Sequence, residues 1–572
     1  MGFKNVFAKT VDKLSVDHEP GVTTTQLMLI NNDLKPVEPD RRQWRAWNYV
    51  GFWVADSFNI NTWMIASSMI VDGLTWWQAW LCVWSGYFIS GFFIVATARI
   101  GAVYHISFPV AVRASFGIYG SLWPVFNRAA MACIWYGVQA WLGGQCVTLM
   151  IRSIWTSYGR LPNGLPASSG TTTRDFVSFF LFSLACLPAV YLPVHKIRHL
   201  FTVKAYYAPC AGIAFMAWAI ARAGSIGPMI HAPPTAQGSA FRWAVIKAIM
   251  SAISNFATLI VNAPDFARVA RKPRDAFWSQ LFTIPVGFAV TSLIGILVSS
   301  ASAVIYGSAV WNPLDLLAKF LDNATSAERF GVFVISLGFA LAQVGTNIAA
   351  NSISAGTDLT ALLPKFINIR RGGYVCATVG FVMCPWHLLS SSNNFTTYLS
   401  AYAVFLSSIA GPMLCDYYVI RRGHLDVHHL YSAKKHYVDP STGEVKKRPY
   451  RYFYGFSIHA YASYISGILI NIVGFAGAVG RKVPIGATYI YNVNFFGGFI
   501  VSAVVYYILV KVWPPAGLPK STGWDEVNID TLSWRFGDDQ IDAIPGPESS
   551  DSLSTTEEQK LKEEEKHRQL DV

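Results

Sequence analysis

The chain has 572 residues, of which 53% are hydrophobic and only 14% are charged, and its mean hydropathy is +0.35. A soluble protein of this length devotes about a quarter of its residues to charge, so an array of soluble domains is excluded. The composition predicts an all-α polytopic membrane protein, because the bilayer interior tolerates only internally hydrogen-bonded backbone. The net charge of +12 does not indicate nucleic-acid binding, because the basic residues lie in short segments between apolar runs.

Twelve apolar stretches are long enough, at roughly 20 residues each, to cross about 30 Å of hydrocarbon. In chain order the predicted spans are 46–70, 76–101, 121–150, 175–194, 200–222, 242–265, 278–305, 330–354, 372–388, 395–420, 453–479 and 491–512. Polar segments separate or flank them: a tail at 1–45, a basic loop at 421–452, and a Ser-, Glu- and Lys-rich tail at 513–572 that is expected to be disordered.

Lys and Arg residues predict the orientation of the chain in the membrane. If both termini are cytoplasmic, the inside loops carry about twice as many of these residues as the outside loops, with Lys204 counted in one inside loop. Asn323 then begins an outside glycosylation sequon, Asn-Ala-Thr. The lysines of the N-terminal tail and the acidic C-terminal tail could meet ubiquitin-dependent trafficking machinery, or the tails could be merely solvated.

Polar side chains interrupt four of the predicted spans, where hydrocarbon makes them costly. They are Asp56, Asn59 and Asn61 in the first span, Trp135 and Gln139 in the third, Lys247 and Asn255 in the sixth, and Thr346, Asn347 and Asn351 in the eighth. The first and sixth spans are five apart and both are interrupted midway. That pattern is typical of a transporter whose site is built from broken helices in two inverted repeats.

The spacing of these residues suggests a ligand. Trp135 and Gln139 are four residues apart, so they share one helical face, and Asn347 and Asn351 have the same spacing. An indole can stack on a flat heterocycle, while amides match its alternating N–H and C=O groups. The alternative is that the amides only join helices to one another. In the tenth span, an apolar stripe containing Phe395 and Leu399 indicates either core packing or a gate over the site.

Several strings resemble the nucleobase:cation symporter-1 family, above all its fungal uracil, allantoin and uridine permease branch. Among them are NNDLKPVEPDRRQW, ADSFNINTW, NRAAMACIWYGVQAW, NFATLIVNAPDFAR and QVGTNIAANSISAGTDLTALLP, and the resemblance runs over about residues 30–515. It implies a leucine-transporter-like fold with two inverted five-helix repeats, broken helices 1 and 6, and alternating access. The core would be residues 46–420, and 453–512 would form two peripheral helices.

The resemblance also implies roles for individual residues. Trp135 would stack on the substrate ring and Gln139 would bond its edge, with Phe256 closing the sandwich from the other side. Asn255 would contact the substrate through its backbone, although Phe and Asn depart from the bacterial pattern of Trp and Gly at these two places. The remaining pocket positions that match the family are Asn351 as a ligand, with Asn347 and Asn59 beside it.

The cation site of sodium-coupled relatives implies a further set of residues. Backbone carbonyls would come from Ala55, Phe58 and Ala342, and a hydroxyl from Thr346. Gly345 stands where those relatives have a second hydroxyl, and a hard cation would lose an oxygen ligand there. The resemblance to the fungal branch implies proton coupling rather than sodium coupling, and this loss fits it. Asp56 and Lys247 are the candidate ionisable groups for the coupling, or else they form a structural ion pair.

The sequence thus predicts a plasma-membrane symporter for a pyrimidine-type base, uracil first, with allantoin, uridine and a thiamine-type cation as alternatives. No cofactor and no metal centre are expected. A membrane-embedded enzyme is the competing class, but the near-membrane histidine pairs lack partner motifs.

Overall fold

A computed structural model describes residues 15–16, 23–191, 194–226, 230–439, 442–519 and 523–527, without the side chains of 194–202. Its α-helices are α1 Thr24–Leu29, α2 Ala46–Ser57, α3 Ile60–Val71, α4 Trp76–Tyr104, α5 Phe108–Ala111, α6 Arg113–Phe116, α7 Leu122–Ile154, α8 Thr173–Tyr191, α9 Val194–Arg222, α10 Gly238–Asn255, α11 Ala257–Ala267, α12 Pro273–Tyr306, α13 Pro313–Phe320, α14 Ser326–Thr346, α15 Ile353–Leu362, α16 Ile369–Val382, α17 Ser392–Leu414, α18 Val427–Leu430, α19 Ile458–Ala478, α20 Ile485–Tyr491 and α21 Asn494–Val512.

Shorter elements complete the described chain. Two π-helical segments, Asn347–Ser352 and Cys415–Ile420, follow α14 and α17 directly. The 3-10 turns are Pro39–Arg41, Thr156–Arg160, Ala167–Ser169, Pro385–His387 and Pro449–Arg451. In the basic loop, strands β1 His436–Val438 and β2 Val445–Lys447 pair antiparallel, with His436 opposite Lys447.

The first and sixth predicted spans are interrupted, as their sequences indicate, but to different degrees. Between α2 and α3 the backbone of Asn59 is extended, and its Oδ1 caps α3 by accepting from the Thr62 amide at 2.9 Å. Between α10 and α11 only Phe256 intervenes, with φ −90° and ψ −5°. An Asn cap satisfies an otherwise orphaned helix N–H group, which allows a helix to restart inside the membrane.

The long helices form two groups. In the first, α4 packs against α10, α11 and α12, and α12 packs against α2 and α3. In the second, α7 packs against α8, α14, α15 and α16. The first group therefore contains spans 1, 2, 6 and 7, and the second group contains spans 3, 4, 8 and 9. This pairing of corresponding positions in two halves is what an internal five-helix repeat produces.

The remaining helices lie around these two groups. Helix α9 contacts both α12 and α14, so it touches each group. Helix α17 packs against α10 and α11 on one side and against α19 and α21 on the other. The two helices expected to be peripheral, α19 and α21, thus contact the rest mainly through α17.

Among the described residues, nine helices are long and apolar enough to cross a membrane. The other three predicted spans correspond to the broken pair α2 and α3, to the 33-residue α7, and to the 14-residue α16. The count of twelve spans stays a prediction.

Part of the C-terminal segment contacts the helices. Glu526 accepts two hydrogen bonds from Arg99 of α4, at 2.7 and 2.8 Å. Trp524 packs on the Tyr418 ring with centroids 5.6 Å apart. These contacts order residues 523–527 within a stretch that the sequence suggested would be disordered. The tail from 528 onward and the N-terminal lysines Lys4, Lys9 and Lys13 lie outside the described residues.

Candidate functional site

A cavity of about 540 Å³, its open mouth included, lies between the two groups of helices. The first group contributes Asp56, Asn59, Asn61, Asn255, Thr258, Leu259 and Phe288, and the second contributes Arg128, Ala132, Trp135, Gln139, Thr346, Ala350 and Asn351. Both broken helices therefore border the cavity at their breaks. Irregular backbone at membrane depth is tolerated where it lines such a space.

One wall of the cavity is formed by α7. Trp135 and Gln139 both line it and are 6% and 3% exposed. Two tyrosines of α17 contact Trp135, with the Tyr398 ring centroid at 5.9 Å and that of Tyr402 at 6.2 Å, both edge-on. Tyr402 also donates to the carbonyl of Ser254 at 2.8 Å. The indole is thus held in place by α17, which is itself anchored at the break between α10 and α11.

The break in the first span and the π-helical segment after α14 also border the cavity. In the first helix group, Asn59 donates from Nδ2 to the backbone carbonyl of Asp56, so a hydrogen bond joins these two residues at the break. In the second helix group, Asn347 is fully buried and Asn351 lines the cavity. The structure therefore brings together Asp56, Asn59, Trp135, Gln139 and Asn351.

The sixth span contributes differently from the expected pattern. Asn255 lines the cavity and its Nδ2 lies 3.4 Å from the Tyr87 hydroxyl. Phe256 does not line the cavity: it is fully buried and stacks on Trp53 at 5.6 Å. Phe288 of α12, which meets the Phe256 ring edge-on at 4.8 Å, reaches the cavity instead.

Three further residues singled out in the sequence lie away from the cavity lining. Phe395 is fully buried and its ring faces Trp311 at 5.8 Å, and Leu399 is also fully buried. Lys247 is exposed and interacts electrostatically with Asp72 at the end of α3. No contact joins Lys247 to Asp56 among the described residues, so this pairing is not seen.

A different lysine occupies the region of the expected cation site. Lys204 of α9 is only 2% exposed, and its Nζ donates to the Thr346 hydroxyl at 2.6 Å. The ammonium group also interacts electrostatically with Asp56. Ala55 and Phe58 lie at the break beside Asp56, and Ala342 lies one turn before Thr346. Counting Lys204 as a cytoplasmic loop residue was wrong, because α9 begins at Val194 and carries this side chain into the protein.

Gly345 makes room for this lysine. A Cβ atom at Gly345 would lie 2.7 Å from Cδ of Lys204, closer than carbon atoms approach without displacement. The position of the Lys204 side chain therefore depends on the absence of a side chain at residue 345.

The Gly345→Ala variant should transport poorly, because the added methyl group pushes the Lys204 chain away from Thr346. Gly331→Ala, on the same helix, is the matched control, since its Cβ would meet only Trp218 at an ordinary 3.5 Å. Initial rates of radiolabelled substrate uptake, normalised to surface protein, check the prediction. Equal rates for both variants would show that the close approach to Lys204 is unimportant.

A buried ion pair at the edge of the cavity was not among the sequence candidates. Arg128 of α7 donates from Nη1 to Asp358 Oδ2 at 2.7 Å, and the two side chains are 2% and 0% exposed. Asn262 of α11, with its amide oriented to satisfy its neighbours, accepts from Nη2 of the same guanidinium. Arg128, a lining residue of the cavity, thus links both groups of helices. Its position seven residues before Trp135, on the same face of α7, was an available signal.

A cavity between two helix groups, bordered by two broken helices, defines a membrane transporter of the inverted-repeat class. The chain belongs to the family of permeases for cytosine/purines, uracil, thiamine and allantoin, whose model matches residues 36–498. The predicted family is therefore confirmed, and its members are permeases rather than enzymes.

Named relatives from Saccharomyces cerevisiae belong to the predicted fungal branch. The chain is 46% identical to an allantoin permease (87% of this chain, 78% of the relative), 45% to a uridine permease (86% and 76%) and 44% to a uracil permease (91% and 82%). The fold is shared with a solved nucleobase-cation-symport-1 family transporter in a closed conformation with bromovinylhydantoin bound. That structure has a TM-score of 0.66 at 20% identity and covers 85% of this chain and 97% of its own. The predicted leucine-transporter-like architecture is confirmed by this likeness.

Proposed function

We propose that the protein carries a pyrimidine-type nucleobase, uracil first, across the plasma membrane into the cell together with a proton. The observation that carries this proposal is a cavity lined by Trp135, Gln139 and Asn351 from one helix group and by Asp56 from the other. A flat ring between them can stack on the indole while its edge is bonded by amides and a carboxylate. Phe288, rather than Phe256, would contact the ring from the first helix group.

Proton coupling is supported by the Lys204 ammonium. It donates to the hydroxyl that a bound sodium ion would need as a ligand, and Gly345 supplies no replacement. Asp56 interacts with this ammonium and also lines the cavity. A change in protonation of this pair would therefore be felt at the place where the substrate binds, which is the requirement for coupling. Lys204 replaces Lys247 in this role.

The orientation with both termini in the cytoplasm rests on the distribution of Lys and Arg. Inward transport is the direction in which a proton gradient across the plasma membrane would drive the substrate. The relatives' names keep allantoin and uridine as alternative substrates. Uptake of radiolabelled uracil, allantoin and uridine in a host that lacks its own carriers tests the proposal. Failure to take up any of the three would overturn the function, and uptake that a protonophore leaves unchanged would overturn the coupling.

The Gln139→Ala and Asn351→Ala variants should bind substrate on the order of 10- to 100-fold more weakly, since a lost hydrogen bond in a dry site costs about 1–3 kcal/mol. Asn127→Ala is the matched control. Asn127 lies on the same helix as Gln139, but its side chain donates to the backbone carbonyl of Trp123, one turn earlier in that helix. Competition of unlabelled against labelled substrate measures the affinities. Wild-type affinity in both cavity variants would refute the site.

A further inference from the structure

Two asparagines lie on a π-helical turn beside the cavity. Asn347 and Asn351 belong to the segment Asn347–Ser352, which interrupts the helix between α14 and α15. Asn347 is fully buried behind the lining, and Asn351 reaches the cavity at 6% exposure. Such wide turns often occur at functional sites, where they change the direction of a side chain. The amide of Asn347 therefore acts on the substrate only through Asn351.

The backbone of α7 determines which way these amides point. Asn347 Nδ2 lies 3.2 Å from the carbonyl oxygen of Tyr136. A carbonyl oxygen only accepts hydrogen bonds, so the nitrogen of Asn347 must face it and the oxygen must face away. Asn351 then donates from Nδ2 to Asn347 Oδ1 at 3.1 Å. The reverse orientation of either amide would set two acceptors or two donors against each other.

This chain of bonds fixes the side on which the Oδ1 of Asn351 lies. One N–H of its Nδ2 is used on Asn347, so its Oδ1 lies on the side away from Asn347 and can accept from a ligand, since an amide oxygen accepts but does not donate. Gln139 Oε1 and Asn61 Oδ1, at the same cavity, also have no hydrogen-bond partner among the described residues. Those two amides are free to turn over, whereas Asn351 is not. The amide of Asn59 is also fixed, but both of its ends are engaged, by Asp56 and Thr62. Asn351 therefore combines a fixed orientation with an oxygen that no hydrogen bond in the described part of the chain engages.

We propose that the Tyr136 carbonyl and Asn347 fix Asn351 as a hydrogen-bond acceptor, and that this makes the carrier select rings with a lactam N–H at that edge. A ring nitrogen that carries a methyl group, or a lone pair as in cytosine, would face the Asn351 oxygen without a proton to share. Asn347 is a positioning residue in this arrangement and touches no substrate. The inference rests on the proposed function and specifies the substrate edge recognised by the same site.

The test uses the full-length protein and matched ring analogues. Inhibition of labelled uptake is measured with uracil, 1-methyluracil, 3-methyluracil and cytosine, or with hydantoin and its N-methyl derivatives if allantoin is the labelled substrate. In the wild type, one of the two N-methyl analogues should lose affinity on the order of 10- to 100-fold, in line with an unmade buried hydrogen bond of about 1–3 kcal/mol. Cytosine has a proton at N1 but not at N3, so it should lose affinity if 3-methyluracil does and keep it if 1-methyluracil is the weak analogue. A wild type that accepts all of these analogues equally would overturn the proposal.

The Asn347→Leu variant removes the amide that orients Asn351 while keeping the branched shape of the side chain. Asn351 can then turn over and offer either group, so the ratio of N-methyl to N–H affinities should fall towards one. Ser352→Ala, in the same π-helical turn, is the matched control and should keep the wild-type ratio. A ratio that stays at the wild-type value in Asn347→Leu would overturn the positioning role.

A second variant keeps the test decisive if Asn347→Leu does not reach the membrane. Asn347→Ala removes the same orienting amide with a smaller side chain and should lower the ratio in the same way, whereas a wild-type ratio in this variant would contradict the proposal. The selectivity ratio is a readout that a merely structural role would not change. Failure of the proposed function is distinguishable, because it would appear in the wild type as no uptake of any of the three labelled substrates.

Discussion

The Lys204→Met variant should reach the plasma membrane but lose concentrative uptake. Methionine keeps the length of the buried chain and removes the ammonium that bonds Thr346 and interacts with Asp56. A membrane potential of 100 mV is worth about 2.3 kcal/mol per charge moved, or about 50-fold in accumulation. Without the proton, that driving force is unavailable to the substrate. Accumulation of labelled uracil under an imposed proton gradient in proteoliposomes measures the loss.

Exchange of internal for external substrate separates coupling from binding. Lys204→Met should retain exchange to a greater extent than accumulation, because the amides and indole of the cavity are unchanged. Lys247→Met is the matched control: that lysine is exposed and should be dispensable. Full proton-driven accumulation by Lys204→Met would exclude the ammonium as part of the coupling site.

The Asp358→Leu variant should be destabilised by about 3–5 kcal/mol, the cost of removing one member of a buried ion pair. The Arg128 guanidinium would be left without its carboxylate, at 2% exposure between α7 and α15. Adding Arg128→Met should restore much of the stability, since an apolar pair of similar size leaves no uncompensated charge. Both effects are measured by thermal unfolding of the purified protein in detergent, with loss of monodispersity as the signal that monitors unfolding.

A surface pair provides the comparison. Arg174 and Asp175 are bonded at 2.9 Å but are 27% and 22% exposed, and an exposed pair is worth only about 0–1 kcal/mol. Arg174→Met should therefore unfold close to the wild-type temperature. If Asp358→Leu is as stable as the wild type, or if the double variant is less stable than either single variant, the buried pair does not stabilise the packing of α7 against α15.

Several features of the site were visible in the sequence because they depend on local spacing. Trp135 and Gln139 are one helical turn apart, and that turn alone places them on a common face. The break after Asp56 was indicated by the asparagines around it, since Asn59 competes with the helix and then caps the next one. Apolar length fixed the membrane class in the same way, because hydrocarbon thickness sets how many residues a helix needs.

Other features were decided only by contacts between segments distant in the chain. Lys204 resembles a loop cation in the sequence, and only the approach of α9 to the Gly345 region of α14 shows that it is buried. Phe256 and Phe288 are equivalent as aromatic residues, and the packing on Trp53 decides that the first is core and the second meets the cavity.

The hydrogen-bonding polarity of the site also depends on contacts between segments that are distant in the chain. The sequence establishes that Asn347 and Asn351 share a helix face, but an amide has two ends of nearly the same shape. Which end faces the cavity depends on the carbonyl of Tyr136, 211 residues away along the chain. Local periodicity therefore determined which residues could bind a flat polar ring. Tertiary packing determined which of them line the cavity and how their amides are oriented, because hydrogen-bond direction and burial are properties of neighbours that the chain brings together only on folding.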